Sequence, residues 1–146
     1  MTWLGGLLRC SAAVYASRVY LDRYWEQRGQ LGEGLHWINW GAAGGLPDWV
    51  RTGPFPRARL RHCGYDGGYR DPFRGAQGLG MSILPCYIGT YVSGLVRVPG
   101  TDAWLDRSVW LLLHADLRKT TRVRLFVDFV AAEMKKMRRV FLGPLA

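Results

Sequence analysis

The chain has 146 residues and a mass of 16.5 kDa, and 49% of its residues are hydrophobic while 13% are aromatic. This composition excludes a disordered tail and is sufficient for one hydrophobic core. The 20 Lys and Arg residues outnumber the 11 Asp and Glu residues, which gives a formal net charge of +9. Because the basic residues are mostly scattered arginines, with one dense pair at Lys135 and Lys136, we interpret the charge as a solvated surface rather than a DNA interface.

Strands and helices alternate along most of the chain, which predicts an α/β fold with a largely parallel sheet. Ser11 to Ala16 is predicted as a strand, and Ser17 is expected to cap a helix from Arg18 to Gln27. The next predicted elements are a strand from His36 to Trp40, a short helix after Pro47, a strand from Arg57 to Cys63, a helix from Tyr69 to Gln77 and a strand from Met81 to Leu84. Gly78 is expected to close the helix before it in a left-handed conformation.

The strand from Arg57 to Cys63 carries arginines at alternate positions, 57, 59 and 61. Side chains at alternate positions of a strand share one face, so these three arginines are predicted on the same side. We interpret them as a solvated face, with an acidic partner as the alternative.

The chain closes with its clearest element, a long amphipathic helix. Strands are predicted before it at Leu95 to Val98 and at Val109 to Leu113, and the helix is expected to begin at Thr120 or Thr121. Its apolar stripe recurs at three- and four-residue steps and consists of Val123, Phe126, Val127, Val130, Met134 and Met137. We interpret this stripe as a core-facing side, with a partner groove as the alternative.

The cysteine and histidine residues give no sign of a cross-linked or metal-bound protein. There are three of each, at Cys10, Cys63, Cys86, His36, His62 and His114. No two cysteines form a C-x-x-C pair, which predicts reduced thiols. His62 and Cys63 are neighbours on a predicted strand, so their side chains point to opposite faces and would not share one ion. We expect neither a disulfide nor a metal site.

No segment reaches the roughly 18 consecutive apolar residues that a membrane span needs. The apolar run from Leu4 to Leu8 is not preceded by a basic residue and is interrupted by Arg9, so it does not match a secretory signal. We therefore expect a cytoplasmic protein without membrane contact.

No motif in the sequence supports catalysis or a cofactor. The glycines from Gly75 to Gly80 close a predicted helix and open a strand, whereas a dinucleotide fingerprint lies between a strand and a helix. There is no phosphate-binding G-x-x-x-x-G-K-[ST] motif and no G-x-S-x-G elbow. The 11 acidic residues are dispersed, so no acid/base pair is predicted. We expect no catalytic residues, no cofactor and no enzymatic activity.

The loop from Gly64 to Tyr69 is the best candidate for ligand contact. It joins the end of a predicted strand to the start of a helix, where backbone N–H groups and the helix dipole favour an anion. Gly67 and Gly68 would allow a small ligand to approach the backbone. The alternative, which the local sequence favours, is a plain connecting turn.

Several segments resemble the end of the effector-binding domain of LysR-type transcriptional regulators. The similar segments are Tyr15 to Leu21, Trp37 to Trp40, Gly78 to Pro85, Leu95 to Val98, Val109 to Arg118 and the last helix. The resemblance implies a periplasmic-binding-protein-like (type 2) α/β fold. Residues 1–108 would form the second Rossmann-like subdomain, and residues 109–146 would be the return strand and helix of a first subdomain that is mostly missing.

The resemblance also implies a ligand site in the cleft between two subdomains. The residues expected to bind the ligand are Ala13, Tyr15, Asp66, Gly67, Gly68 and Tyr69. Relatives usually have an Asn-Ser pair where this chain has Asp66 and Gly67, and the added negative charge weighs against an anionic effector. The opposite wall of the cleft would belong to the missing subdomain.

The expected function is small-molecule sensing in a regulator that forms homo-oligomers at full length. DNA would be bound only by a helix-turn-helix domain that is absent here. A free-standing solute-binding accessory protein, and a nonfunctional remnant or mis-set start of a full regulator, are the alternatives. The sheet neighbours of Val109 to Leu113 are expected before Met1, so the isolated chain should expose an apolar edge and self-associate.

Overall fold

The computed structural model describes residues 2–39, 48–62 and 78–143. The strands are β1 (Thr2–Ser17), β2 (His36–Asn39), β3 (Arg59–His62), β4 (Met81–Pro85), β5 (Leu95–Arg97) and β6 (Trp104–Leu113). The helices are α1 (Arg18–Tyr24), α2 (Asp48–Thr52), α3 (Cys86–Gly89), α4 (Thr121–Lys136) and α5 (Arg138–Leu142), with a 3₁₀ helix at Ala115–Lys119. The predicted alternation of strands and helices is confirmed for these elements. The predicted helix from Tyr69 to Gln77 lies outside the described residues.

The sheet has six strands in the order β3-β2-β4-β1-β5, and β6 pairs with β1. Strand β2 is parallel to β3 and to β4, whereas β5 and β6 are antiparallel to β1. The expectation of a largely parallel sheet is therefore wrong, and the sheet is mixed. The expectation that the neighbours of Val109 to Leu113 precede Met1 is also wrong on one edge, because β6 pairs with β1 from Thr2 to Ala12. In the part of the chain that the structure describes, the other edge of β6 has no paired strand.

The chain divides into two compact units. The sheet unit comprises residues 13–84 and 88–102, and the ribbon unit comprises residues 1–12, 85–87 and 103–146. The sheet unit contains the main core, whose buried side chains are Val14, Ala16, Tyr20, Leu21, Leu35, Trp37, Val50, Phe55, Ala58, Met81 and Val98.

Trp37 is the largest fully buried side chain in the core of the sheet unit. Its indole N–H donates to the Phe55 carbonyl oxygen at 3.0 Å, and its ring meets Trp49 edge-on at 5.2 Å between centroids. A buried indole needs such an acceptor, because an unpaired buried N–H group costs about 1–3 kcal/mol. The predicted strand from His36 is confirmed, the structure ends it at Asn39, and Trp37 lies on its core face.

Helix α1 begins as predicted and ends earlier than predicted. Ser17 is its N-cap, and the Ser17 hydroxyl oxygen accepts from the Tyr20 backbone N–H at 3.1 Å. The helix ends at Tyr24 rather than Gln27. The Arg28 guanidinium donates to the Trp25 carbonyl oxygen at 2.6 Å and stacks on the Trp25 ring at 3.6 Å, so this carbonyl is satisfied outside the helical ladder.

Strand β3 begins at Arg59, two residues later than predicted. The backbone N–H of Arg57 donates to the Leu31 carbonyl oxygen at 3.0 Å, and the Arg57 guanidinium pairs with the Glu33 carboxylate at 3.1 Å. Arg57 therefore belongs to the turn before the strand. Arg59 and Arg61 are exposed while Leu60 is half-buried, as the alternation predicts.

The ribbon unit buries much less apolar surface than the sheet unit does. The Ser11 hydroxyl donates to the Leu142 carbonyl oxygen at 2.6 Å and so joins β1 to the end of α5. Helix α4 has no buried residue. Val123, Val127, Val130 and Met134 are half-buried, whereas Phe126 and Met137 are exposed. The predicted core-facing stripe is therefore only partly correct, and none of its members belongs to a closed core.

Leu125 and Phe129 lie on the opposite side of α4 from the half-buried valines, because each residue turns the helix by about 100°. Leu125, Phe126 and Phe129 are 65%, 62% and 63% exposed, respectively. We call these three residues the outer face of α4. Of these three, Phe126 belongs to the predicted stripe, whereas Leu125 and Phe129 extend the apolar surface of the helix beyond it.

Replacing Ser17 with alanine should lower the free energy of unfolding by about 1–2 kcal/mol, since it removes the N-cap of α1. The same hydroxyl also accepts from the Gly78 backbone N–H at 2.9 Å, which would lose its partner. Urea unfolding followed by circular dichroism measures the loss. Thr120→Ala is the matched control, because Thr120 is the N-cap of α4 and makes no side-chain cap hydrogen bond. Equal losses in the two variants would contradict the assigned role of Ser17.

Candidate functional site

Two of the predicted ligand-binding residues, Ala13 and Tyr15, lie on β1 within the sheet unit. They alternate with Val14 and Ala16, which face the main core, so they belong to the other face of the sheet. Ala13 is 0% exposed and Tyr15 is 3% exposed. Other parts of the protein therefore cover both side chains, and neither presents an open surface for a ligand in this conformation.

The hydroxyl of Tyr15 lies 3.2 Å from the Thr90 hydroxyl oxygen. Its ring packs directly on Gly89, where an added Cβ atom would overlap three atoms of the ring. Glycine is therefore required at the end of α3 by a close approach of the aromatic ring. The contacts of Gly89 and Thr90 with Tyr15 were not predicted, because nothing in the local sequence places the end of α3 against β1.

The remaining predicted residues, Asp66, Gly67, Gly68 and Tyr69, lie outside the described residues. The structure brings Ala13 and Tyr15 together on one strand, and the predicted ligand site as a whole stays a prediction.

The direction of the strands indicates which edge of the sheet unit Ala13 approaches. The Ser17 hydroxyl accepts from Gly78, so the end of β1 lies beside the residues that precede β4. Strands β1 and β4 are neighbours in the sheet, and the end of β1 lies beside the start of β4, so we infer that they run antiparallel and that Ala13 is nearer than Ser17 to the carboxyl end of β4. The carboxyl ends of β2, β3 and β4 share this edge, because the three strands are parallel. The segment after His62 leaves β3 at the same edge.

A polar cluster that sequence analysis also missed lies near the start of β2. The His36 backbone N–H donates to the Tyr20 hydroxyl oxygen at 2.8 Å, and His36 Nδ1 lies 3.4 Å from the same oxygen. The Arg61 guanidinium reaches His36 Nε2 at 3.2 Å and the Leu79 carbonyl oxygen at 3.4 Å. We call Tyr20, His36, Arg61 and the Leu79 carbonyl the β2 cluster. It depends on the pairing of β2 with β3, which the local sequence does not reveal.

Two groups in the β2 cluster have shifted pKa values. Burial lowers the pKa of His36, and the positive charges of Arg61 and Arg59 lower it further. Burial raises the pKa of Tyr20, against the opposing effect of the hydrogen bond from the His36 backbone. The cluster therefore favours a neutral imidazole and a neutral phenol.

Among the described residues, no three His, Cys, Asp or Glu side chains are grouped closely enough to hold a metal ion. In the same part of the chain, no helix combines the length and the hydropathy that crossing a bilayer requires.

At the level of sequence, the chain matches no protein-family model and no curated protein. Its fold is similar to that of ArgP from Mycobacterium tuberculosis, with a TM-score of 0.52 and 20% identity over 88% of this chain and 45% of ArgP. LysG from Corynebacterium glutamicum, a full-length LysR-type regulator with bound effector arginine, gives a TM-score of 0.46 and 17% identity over 88% of this chain and 46% of LysG. An ancestral cyclohexadienyl dehydratase gives a TM-score of 0.36 and 12% identity over 94% of this chain and 55% of that chain.

The structural neighbours include LysR-type regulators and solute-binding proteins. The expected fold class, an α/β fold like that of type 2 periplasmic binding proteins, is confirmed. This chain spans less than half the length of ArgP and of LysG. At 20% identity or less, the likeness concerns the fold.

Truncating Tyr15 to alanine should destabilise the protein by about 3–5 kcal/mol, because it removes a buried ring and leaves a cavity against Gly89. Tyr15→Phe keeps the ring and removes the hydroxyl with its contact to Thr90, so its cost should be about 1 kcal/mol. Urea unfolding of both variants checks the difference. A Tyr15→Ala variant as stable as Tyr15→Phe would contradict the packing described for this ring.

Proposed function

We propose that this chain is the ligand-sensing part of a LysR-type transcriptional regulator. One observation carries the proposal: 88% of the chain has a fold similar to ArgP, a LysR-type regulator, with a TM-score of 0.52. The segments that resemble the family in sequence agree with it. They coincide with the positive-φ glycine at Gly78 and with strands β4, β5 and β6.

In this proposal the sheet unit binds a small-molecule effector at the carboxyl ends of β2, β3 and β4. Open α/β sheets bind ligands outside the carboxyl ends of their strands, where loops and helix N-termini present backbone N–H groups. Asp66, Gly67, Gly68 and Tyr69 follow β3 in sequence and are the proposed direct contacts. Ala13 and Tyr15, whose side chains are covered in this conformation, are the proposed contributors from β1 behind that surface. Asp66 adds a carboxylate, which favours an effector carrying an ammonium or hydroxyl donor over one carrying only anionic groups.

The proposal assigns residues 109–146 to a subdomain whose remaining part would come from a longer chain. Exposed apolar side chains in this region support the assignment: Trp110, Leu112, Leu117, Leu125, Phe126, Phe129 and Met137. Patches of this kind on a soluble protein mark interaction surfaces. Homo-oligomer formation and DNA binding through a helix-turn-helix domain are proposed for that longer regulator, not for this chain.

Ligand binding is expected to depend on the backbone at Gly68. Gly68→Val introduces a branched side chain where an effector would approach the start of the predicted helix, so it should weaken affinity at least several-fold. Isothermal titration against cationic, neutral and anionic amino acids first identifies a ligand and then measures its affinity in the variants. Arg59→Ala, which changes an exposed arginine on β3, is the control and should leave the affinity unchanged. Equal effects of the two substitutions would contradict the assigned pocket.

The isolated chain is expected to self-associate. Each exposed side chain on the outer face of α4 would gain roughly 1.5–3 kcal/mol from full burial, so several together favour association. Light scattering over a concentration series should give a mass above the 16.5 kDa of one chain. Combining Phe126→Ser with Phe129→Ser should lower that mass at each concentration.

The control for this experiment combines Val19→Ser with Tyr91→Ser. Val19 and Tyr91 are 72% and 66% exposed, and they belong to the sheet unit. This pair removes a comparable exposed apolar surface and should leave the association intact. A monodisperse 16.5 kDa monomer at every concentration would contradict the proposal that the ribbon unit needs further protein to cover it.

A further inference from the structure

The β2 cluster determines where the proton of the neutral His36 ring lies. A guanidinium group has only donors, so an Arg61 nitrogen 3.2 Å from His36 Nε2 requires an unprotonated Nε2. The proton of the neutral imidazole must then be on Nδ1, which lies 3.4 Å from the Tyr20 hydroxyl oxygen. Tyr20 is 1% exposed, so this side of the ring is shielded from water.

Among the described residues, the charged groups that face His36 are positive. Arg59 and Arg61 face it from β3, while α1 contributes the hydroxyl of Tyr20 and the ring of Tyr24, whose centroid lies 5.9 Å from the imidazole. Arg23 lies over the Tyr24 ring. The turn before β4 contributes backbone atoms. The nearest acid that precedes β2 in sequence, Glu33, accepts from Arg57 and from the Leu31 backbone instead.

Arg61 joins three parts of the sheet unit. It lies on β3, the first strand in the order of the sheet, contacts His36 on β2, and donates to the Leu79 carbonyl oxygen in the turn before β4. The turn packs against β2, since an added Cβ atom at Gly80 would lie 2.6 Å from the His36 carbonyl oxygen. The Arg61 side chain therefore ties together two points of the chain that are 18 residues apart in sequence.

We propose that the Arg61–His36 contact is a proton-operated latch, closed while the imidazole is neutral and opened when acid protonates it. Protonation converts His36 Nε2 from a hydrogen-bond acceptor into a donor, and it places a positive charge on the ring whose Nε2 lies 3.2 Å from the guanidinium. Arg61 then loses its acceptor and is repelled, so it moves away from both His36 and Leu79. The Arg61 side chain is thereby released from the turn before β4, while β3 stays paired with β2. The latch does not depend on the proposed function, because it involves no effector contact.

The pH dependence follows from the direction of the shift. The pKa of His36 is lower in the folded protein than the ordinary value of about 6.5. The stability that His36 contributes is therefore fully present above about pH 6.5 and is lost as the pH falls through the lower folded pKa. We expect the latch to open in this acidic pH range.

Nuclear magnetic resonance of the full chain with labelled histidine tests the latch. The sequence has three histidines, so His36→Gln identifies the His36 signal by its loss. We expect a His36 pKa below the ordinary value and ¹⁵N shifts of the Nδ1–H tautomer at neutral pH. The amides of Leu79 and Gly80 should titrate with the same midpoint as His36. An ordinary or raised pKa, an Nε2–H tautomer, or amides that do not follow His36 would each overturn the proposal.

Two substitutions of the exposed Arg61 separate its charge from its hydrogen bond. Arg61→Gln keeps a donor for Nε2 and removes the charge, so the His36 pKa should rise while the Nδ1–H tautomer persists. Arg61→Leu removes both, so the pKa should rise and the tautomer preference should be lost, together with the titration of the Leu79 and Gly80 amides. Arg59→Gln should raise the pKa less and leave the tautomer and the amide titration intact. If Arg61→Leu changes neither the pKa nor the tautomer of His36, the latch does not exist.

Discussion

Strand β1 is paired over most of its length, with β6 from Thr2 to Ala12 and with β5 from Tyr15 to Ser17. It is also the neighbour of β4 in the sheet. The pairing with β6 contains three register shifts, whereas the pairing with β5 is regular from Tyr15 to Ser17. In that regular segment the register decides which face each side chain occupies, because a slip by one residue would turn every side chain to the other face. The core position of Val14, the close contact of Tyr15 with Gly89 and the capping role of Ser17 all depend on this register.

The two units differ in how completely they bury their own apolar side chains. The sheet unit closes a core around Trp37, and no buried side-chain N or O atom among the described residues lacks a hydrogen-bond partner. In the ribbon unit, a two-stranded pairing and α4 leave large aromatic and aliphatic side chains exposed. Two paired strands seldom form a stable structure alone, so the burial that is missing here is the physical basis for proposing a larger assembly.

Several of the described arginines make local contacts that hold neighbouring segments together. Arg28 stacks on Trp25, Arg57 pairs with Glu33, and Arg61 contacts His36 and the Leu79 carbonyl. Each contact connects a loop or an edge strand to a neighbouring element. The scattered distribution of the arginines in the sequence is the basis for interpreting the net charge of +9 as a solvated surface.

Elements whose conformation depends on neighbouring residues could be predicted from the amino-acid sequence. The cap at Ser17, the left-handed glycine at Gly78, the alternation on β3 and the periodicity of α4 were predictable, since neighbouring residues alone set these conformations. The family resemblance predicted the fold class, which is confirmed, and a ligand site with Ala13 and Tyr15, which stays a prediction. Three contacts became evident from the folded chain alone: β6 pairs with β1, Tyr15 packs against Gly89, and His36 meets Arg61. These contacts join residues far apart in the chain, and their partners depend on strand pairing, which no local pattern of residues specifies.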